Sequence, residues 1–311
     1  MVTVKPSVVK PGTVKPSVVK PILKWVGGKS QILEEVLSRF PKEINNYHEI
    51  FLGGGSVLLG LLSLIEEDKI KLSGDIYAYD INKHLINLYN IIKDYPSELY
   101  QTIQAILNDY NTCAVENGNK KPITYEDAKT SKESYYYWIR NEFNRVGINP
   151  LYSAGALVFL NKTCFRGLYR EGPSGFNVPF GNYKNPEVIN LEHLNEVSRL
   201  IQKVNFIHMD FEKSMLNVGE GDFVYLDPPY APENKTSFVK YSGEGFNEDK
   251  HKTLFKMIKG LPCSFLMSNA DVEMIKEAFK DGYIIDRVLC KRSINAKNPE
   301  SKTMEVLVSK K

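Results

Sequence analysis

The sequence predicts an α/β fold, with a largely parallel sheet, helices on both of its faces and a mostly helical insertion. Three observations predict it. Short apolar segments alternate with amphipathic ones between residues 22 and 94. A stretch rich in Tyr, Asn and Lys follows over 95–190, and the apolar segments return after it. Alternating strands and helices imply parallel strands, which bind their ligands at the carboxyl ends.

The first alternating part begins with helical spacing behind Ser30, which we expect to cap that helix. A short strand follows and ends in a run of glycines, after which an apolar helix begins. A second strand and a second amphipathic helix repeat this order. The predicted ranges are helix 30–39, strand 47–51, helix 57–65, strand 76–80 and helix 81–94.

Strand-like segments return after the insertion, and they are short and rich in β-branched and aromatic residues. Their ranges are 204–210, 222–227, 263–269, 283–290 and 304–309. The sequence therefore predicts three parts: a basic tail over 1–21, a sheet domain formed by 22–94 and 191–311, and an insertion over 95–190.

Lysine and proline dominate the tail, in which KPSVV occurs at 5–9 and again at 15–19. Prolines disfavour helix and central strand, so we expect a flexible, extended segment. Six lysines and no acid lie between residues 1 and 33, whereas the whole chain carries a net charge of only +3. The tail is interpreted either as a weak phosphate-attracting arm or as a solvated segment without a role.

The composition is that of a globular protein of 311 residues, with 42% hydrophobic and 25% charged side chains. It excludes collagen-like, coiled-coil and wholly disordered chains. The four cysteines, Cys113, Cys164, Cys263 and Cys290, form no CxxC pair, so neither a disulfide framework nor a zinc ribbon is expected. No segment offers the roughly 20 apolar residues of a membrane span. We therefore expect a cytoplasmic protein in a reducing compartment.

A glycine turn, GGGS over 53–56, connects the first predicted strand to its helix. Glycine lets the backbone approach a ligand closely, although the spacing matches neither a Walker motif nor GxGxxG. Asp80 ends the next strand, where its carboxylate can accept hydrogen bonds from two ribose hydroxyls. Together they indicate a nucleoside-containing ligand. The alternative is a purely structural turn with a helix-capping aspartate.

The most specific signal is the segment Asp227-Pro228-Pro229-Tyr230, which directly follows an apolar strand. Pro229 has no amide hydrogen, so the Pro228 carbonyl is free to accept a hydrogen bond beside the Asp227 carboxylate. Two acceptors at a stiff strand end suit an amino group with two hydrogens, and Tyr230 offers a flat face for a heterocycle. An ordinary turn is the alternative interpretation.

Several motifs, in the same order along the chain, resemble those of the DNA adenine methylase (Dam) family of S-adenosylmethionine-dependent DNA adenine-N6 methyltransferases. They are KWVGGK (24–29), FLGGGS (51–56), YDIN (79–82), RNEFN (140–144), FNVPFGNYKNP (176–186), DPPYAP (227–232) and RSI (292–294). The resemblance implies a Rossmann-like methyltransferase sheet. It also implies an S-adenosylmethionine-binding catalytic domain over 22–94 and 191–311, with a DNA target-recognition insertion over 95–190.

The resemblance assigns roles to individual residues. The catalytic ones are Asp227, Pro228 and Tyr230. The implied cofactor contacts are Trp25, Lys29, Gly53, Gly55, Ser56, Asp80, Asp210 and Asp227. The implied DNA contacts are Lys24, Arg166, Arg170, Asn177 and Tyr183, with Arg170 reading guanine, Lys24 and Tyr183 at the outer guanine and Asn177 on a phosphate.

One departure affects the target sequence. Dam-type sequences commonly carry Asn where this chain has Arg166, so GATC is a preference and a related short palindrome stays open. Phe51-Leu52 replaces the more usual Pro-Phe before the glycines, and the argument for the glycine turn is unaffected.

The predicted reaction is methyl transfer to N6 of an adenine flipped out of double-stranded DNA, which requires no metal. RNA or protein-glutamine methylation, a nucleotide-dependent oxidoreductase and a catalytically silent DNA-binding protein are the alternatives. We expect a monomer or weak dimer, with any cognate restriction endonuclease acting separately.

Overall fold

The structure is a computed structural model that describes residues 18–231, 246–291 and 302–311. Most of the predicted tail and the RSI segment at 292–294 lie outside these ranges. Among the described residues, no helix is both long enough and apolar enough to cross a membrane.

The predicted α/β fold is confirmed: within the described ranges the main sheet has seven strands, and one of these runs antiparallel to the others. The strand order across the sheet is β10-β11-β9-β8-β2-β4-β7, with β11 antiparallel to both of its neighbours. Its strands are β2 (Tyr47–Glu49), β4 (Ile76–Asp80), β7 (Val204–His208), β8 (Phe223–Leu226), β9 (Ser264–Ala270), β10 (Tyr283–Lys291) and β11 (Lys302–Lys310).

Two small two-stranded sheets accompany the main one. They pair β1 (Glu43–Ile44) with β3 (Lys71–Leu72), and β5 (Glu171–Gly172) with β6 (Gly175–Phe176). The helices are α1 (Leu33–Leu37), α2 (Ser56–Glu66), α3 (Lys83–Asp94), α4 (Pro96–Asn111), α5 (Tyr125–Lys129), α6 (Lys132–Phe143), α7 (Pro150–Thr163), α8 (Leu191–Leu200), α9 (Phe211–Ser214), α10 (Glu248–Lys259) and α11 (Glu273–Ala278).

The strand order reverses between β2 and β8. From β2 the chain proceeds to β4 and β7 on one side, and then it returns to β8 on the other side. At such a switch point the loops after the two strands diverge and leave a crevice at their carboxyl ends. The glycine turn follows β2 and the Asp-Pro-Pro-Tyr segment follows β8, so the topology brings the two strongest sequence signals to one crevice.

Each face of the sheet carries its own apolar core, because side chains alternate along the strands. On β8, Tyr225 joins the core formed with α2, α3 and the insertion, whereas Val224 and Leu226 join the core formed with α9, α10 and α11. The insertion is mostly helical. Its helices α4 and α7 pack on α3 and share the first core. The predicted domain boundaries at 95 and 190 stay a prediction.

The first helix differs from its prediction. Residues Lys29–Gln31 form a 3-10 turn, the α-helix begins only at Leu33, and neither start has a side-chain cap. The expected Ser30 cap is therefore wrong. The backbone N–H of Lys29 donates instead to Ser56 Oγ. This hydrogen bond connects the segment to the glycine turn, and a regular helix does not begin at Ser30.

Gly55 provides a stability test of the turn. Its φ is +72°, and an added Cβ would lie 2.4 Å from the Tyr89 hydroxyl, which donates to the Gly54 carbonyl. Gly282 also has a positive φ of +84° but open space around its Cβ position. A left-handed conformation costs a non-glycine residue about 1 to 2 kcal/mol. We expect Gly55→Ala to lower the free energy of unfolding in urea by at least about 1 kcal/mol more than Gly282→Ala, because it also disrupts the Tyr89 hydrogen bond. Equal losses of unfolding free energy in the two variants would show that the structure relaxes and avoids the collision between the added Cβ and the Tyr89 hydroxyl.

Candidate active site

The corner after β8 places a half-satisfied carboxylate in the crevice. Lys29 Nζ donates to Asp227 Oδ2 at 2.6 Å, and the Lys29 side chain is only 3% exposed. The same ammonium donates to the Gly27 carbonyl at 2.6 Å. Asp227 Oδ1 is buried and has no hydrogen-bond partner among the described residues. One carboxylate oxygen is thus anchored while the other stays available as an acceptor.

Burial governs the protonation of this aspartate. It raises the pKa of Asp227 to about 6, although the neighbouring Lys29 ammonium acts in the opposite direction, and the carboxylate of Glu305 adds to the increase. The carboxylate is therefore largely ionised at neutral pH, so Oδ1 can accept a hydrogen bond while Oδ2 accepts from Lys29.

Tyr230 is held from two directions. Its hydroxyl donates to Glu305 Oε2 at 2.6 Å, and Lys29 Nζ lies 5.0 Å from the centre of its ring. Burial and the nearby carboxylates of Asp227 and Glu305 raise the Tyr230 pKa far above its ordinary value, so the phenol stays protonated and donates. No local sequence pattern indicates Glu305, which lies 75 residues from Tyr230 along the chain.

Two buried side chains support the corner itself. Asn269, at the carboxyl end of β9, accepts from the backbone N–H of Ala231 at 3.0 Å. His251 Nε2, from α10, lies 3.1 Å from the Pro229 carbonyl oxygen. The segment therefore combines the stiffness of two prolines with contacts to the neighbouring strand and helix, and its shape does not depend on the turn alone.

The glycine turn is packed against the segment that contains Lys29. An added Cβ would lie 3.1 Å from the Trp25 ring at Gly53 and 2.8 Å from Trp25 Cβ at Gly54, so glycine is required for this close approach. The Gly53 N–H donates to Asp80 Oδ2 at 2.9 Å, and the Asn82 N–H donates to Asp80 Oδ1 at 2.8 Å. Trp25 stacks on Tyr169 with 5.1 Å between ring centres. The predicted residues around the turn therefore lie together.

Glu49 is a buried acid that sequence reasoning overlooked. It ends β2, three residues short of the glycine turn, is 2% exposed and accepts from the Tyr47 hydroxyl at 2.7 Å. Burial raises the pKa of Glu49 to about 8, so it is largely protonated at neutral pH. An acid inside the apolar segment YHEIF was the available signal.

Asp210 lies two residues beyond the end of β7, the strand that pairs with β4, which ends at Asp80. The Met209 N–H donates to the Asp80 carbonyl oxygen at 3.1 Å, which continues the pairing of β7 with β4. The Asp210 carboxylate accepts from the Glu212 N–H at 2.9 Å and caps α9. Both aspartates therefore lie at one edge of the crevice.

The predicted DNA contacts fall into two groups on the insertion and the segment before α1. In the first group, Lys24 Nζ lies 5.7 Å from the centre of the Tyr183 ring, and the Tyr183 hydroxyl accepts from the Arg166 N–H at 2.9 Å. Arg166 has a φ of +59°, which is uncommon for a residue with a side chain and points to a constrained, functional loop. Asn161 bonds both the N–H and the carbonyl of Lys24 at 2.8 Å and joins the two segments.

In the second group, Arg170 and Asn177 bond to each other. Arg170 Nε donates to Asn177 Oδ1 at 2.6 Å across the β5–β6 hairpin, and both side chains are at the surface or partly exposed. Asn144, from the RNEFN segment, bonds the N–H and carbonyl of Phe176 at 2.8 and 2.9 Å. A polar cavity of about 330 Å³ adjoins this hairpin and includes Arg140 and Asn177 in its lining.

A doubly wound sheet with a glycine turn and a DPPY corner at its switch point defines a Rossmann-like methyltransferase. The chain belongs to the D12 class N6 adenine-specific DNA methyltransferases, whose family profile matches residues 25–294. The predicted enzyme class is confirmed. This family methylates N6 of adenine in DNA, which is the predicted chemistry and not one of the alternatives.

Individual relatives resemble most of the chain. It is 35% identical over 293 residues to type II methyltransferase M.MjaIII of Methanocaldococcus jannaschii, covering 90% of this chain and 94% of the relative. It is 30% identical to type II methyltransferase M1.LlaDCHI of Lactococcus lactis subsp. cremoris, covering 92% and 93%. It is also 30% identical to DNA adenine methylase of Escherichia coli K12, with the same coverage of 92% and 93%. A solved structure of methyltransferase EhMeth from Entamoeba histolytica has a TM-score of 0.28 and 13% identity over 87% of this chain and 53% of that chain, a likeness too distant to carry an argument.

The ion pair predicts the titration of Asp227. We expect its carboxyl to titrate near pH 6. Lys29→Met should shift the midpoint to higher pH, because the substitution removes the cation that favours the ionised form. Carbon-13 NMR of protein labelled at the aspartate carboxyl carbons measures both midpoints, and Lys213→Met, at an exposed position of α9, is the control. A midpoint that stays in place or falls in Lys29→Met contradicts this account.

Proposed function

We propose that the protein transfers the methyl group of S-adenosylmethionine to N6 of an adenine flipped out of duplex DNA. The observation that carries the proposal is the state of Asp227, with Oδ2 held by Lys29 and a buried Oδ1 that has no partner among the described residues. Leaving a buried acceptor unpaired is costly, and such a site suits a ligand that donates a hydrogen bond.

The crevice fits S-adenosylmethionine on two observations. Glycine at 53 and 54 lets the turn backbone lie directly against Trp25, and the Asp80 carboxylate beside the turn keeps lone pairs for hydroxyl donors. We propose that Asp80 and Asp210 serve the nucleoside end, and that the turn serves the methionine end with Trp25 as a wall. The full proposed set of cofactor residues is Trp25, Lys29, Gly53, Gly55, Ser56, Asp80, Asp210 and Asp227. When bound, the cofactor supplies a methyl group on a positively charged sulfur.

Asp80 suits ribose hydroxyls for a specific reason. Its two oxygens already accept from the Gly53 and Asn82 N–H groups, which fix the orientation of the carboxylate. Each carboxylate oxygen has a second lone pair, so two further hydroxyl donors can bind without displacing either backbone contact. Burial raises the pKa of Asp80 and those backbone donors counteract it.

The chemistry of the target amine determines the remaining roles. The N6 lone pair is delocalised into the adenine ring, so the nitrogen is a weak nucleophile. Asp227 Oδ1 and the Pro228 carbonyl are proposed to accept its two hydrogens, which directs the lone pair out of the ring plane. Tyr230 provides the stacking face. As N6 becomes positive, the Asp227 carboxylate stabilises it electrostatically, and this effect is preorganised because Lys29 holds the other oxygen.

This role of Asp227 requires its ionised form. Methyl transfer is therefore expected to decline as the pH falls through about 6, the pKa of Asp227.

The DNA-facing residues are proposed to divide into positioning and reading groups. Lys24, Arg166 and Arg170 are exposed cations on one part of the molecule, where a phosphate backbone can neutralise them. Asn177 holds Arg170 through its side-chain oxygen, which accepts from Nε, and its carbonyl oxygen, which accepts from Nη2. Nη1 and the second hydrogen of Nη2 are proposed to donate to guanine O6 and N7. The proposed target is GATC or a related short palindrome, and Arg166 is the residue that keeps the alternatives open.

Two of the relatives are named type II methyltransferases and one is named a DNA adenine methylase. We propose that it acts on DNA inside the cell as a monomer or weak dimer. Any restriction endonuclease would act separately, since one flipped base requires only one active site.

Asp227→Ala tests the catalytic assignment. Removal of an acceptor aimed at developing charge should lower the rate of methyl transfer by about 10² to 10³. Tritiated methyl donor and duplex DNA measure the rate, with digestion to nucleosides to place the label on N6-methyladenine. Circular dichroism checks that the variant folds, and Asp281→Ala at an exposed turn is the matched control. Normal turnover by a folded Asp227→Ala protein would defeat the proposal.

Arg170→Ala tests target reading. A bidentate contact with guanine contributes about 1 to 3 kcal/mol of discrimination, so its loss should relax one position of the recognition site. Methylation-sensitive sequencing of DNA from cells that express each variant measures the site. Arg145→Ala, a surface arginine paired with Glu142, is the control. An unchanged site at full rate would remove Arg170 from the reading group.

A further inference from the structure

We propose that Glu305 is a positioning residue of the methyl-transfer site, holding the Tyr230 ring in place for the target base. This inference rests on the proposed function, in which Tyr230 stacks on the flipped adenine. It assigns a role to strand β11, which runs antiparallel to the other strands that the structure describes in the main sheet.

The sheet brings Glu305 to the corner from two strands away. Glu305 pairs with Ala270 of β9, and β9 lies beside β8, whose end carries the corner. The neighbouring Val306 points into the core of the other face, so Glu305 lies on the face that also carries Tyr225 and its Ser268 partner. Its side chain is only partly exposed.

The contact is a hydrogen bond to a carboxylate, which is stronger than one between neutral groups. It joins the Tyr230 hydroxyl to Glu305 Oε2 at 2.6 Å. The proline segment fixes one end of Tyr230 and Glu305 fixes the other, so the plane of the ring is set before a base arrives.

The charge of Glu305 adds an electronic effect. A carboxylate that accepts from the phenol increases the electron density of the ring, and electron-rich rings attract cations more strongly. The ring already lies 5.0 Å from the Lys29 ammonium. The target nitrogen becomes positive only as it is methylated, so this attraction grows toward the transition state. Glu305 is therefore expected to affect kcat more than KM.

Four variants test the role: Glu305→Ala, Glu305→Gln, Tyr230→Phe and the double variant Tyr230→Phe/Glu305→Ala. Tyr230→Phe keeps the stacking face and removes only the hydroxyl. We expect Tyr230→Phe and Glu305→Ala each to lower kcat by about tenfold, the scale of one hydrogen bond to a charged group. The double variant should lose no more than either single variant, because both remove the same contact. Glu305→Gln should fall between wild type and Glu305→Ala, since the amide oxygen accepts without the charge.

A second readout separates positioning from general damage. The duplex carries 2-aminopurine at the target adenine of the site found by sequencing, and its fluorescence rises when the base leaves the stack. Base extrusion and the KM for S-adenosylmethionine should change less than twofold in Glu305→Gln while kcat falls. The exposed control Glu277→Gln, on α11, should match wild type in every measurement.

Two results would overturn the inference. One is a kcat within twofold of wild type for both Tyr230→Phe and Glu305→Ala. The other is a double variant whose loss equals the product of the single losses, which would mean that the two residues act independently. Tyr230→Phe removes only one hydroxyl, so it provides a test even if Glu305→Ala fails to fold. Failure of the proposed function is recognised separately, because Asp227→Ala would then methylate DNA normally whatever the Glu305 variants do.

Discussion

The buried ion pair between Lys29 and Asp227 is the contact on which the arrangement of the crevice depends. A charge removed from water is costly unless an opposite charge and hydrogen bonds compensate it. Asp227 can therefore lie at the end of β8 only if the chain before α1 folds across the glycine turn and delivers Lys29. The Lys29 N–H bond to Ser56 and the packing of Trp25 on Gly54 hold that segment in place. The glycine turn and the corner after β8 thus form one unit.

This unit compensates only part of the energetic cost of burying the Asp227 carboxylate. Lys29 holds one oxygen of Asp227, and the other oxygen is buried without a partner among the described residues. A fully bonded carboxylate would make a more stable corner and a poor acceptor for a substrate amine. Under the proposed function, the energetic cost of the unpaired oxygen is a form of preorganisation, in which the protein keeps an acceptor ready and the substrate amine satisfies it.

The sequence predicted the parts of the site that follow from local pattern and parallel topology. Glycines after β2, Asp80 after β4 and Asp227 after β8 converge because carboxyl ends of parallel strands share one edge. It did not predict the pairing of Lys29 with Asp227, separated by 198 residues, or of Tyr230 with Glu305. Such pairs depend on how segments cross and on strand order at the antiparallel edge, which no local pattern encodes. The Ser30 cap failed for the same reason, because a distant serine hydroxyl bonds the backbone there instead.

If the insertion reads the target as proposed, the apolar interior that helices α4 and α7 share with α3 limits how this enzyme can acquire a new target sequence. An insertion joined to its host by polar linkers could be exchanged whole between relatives. Here, exchange would cut through packed side chains such as Ile103 and Leu157, which are almost fully buried. Diversification should therefore proceed by single replacements on the outer hairpin and its neighbouring loop, and engineers would do better to randomise those few surface positions than to graft complete segments.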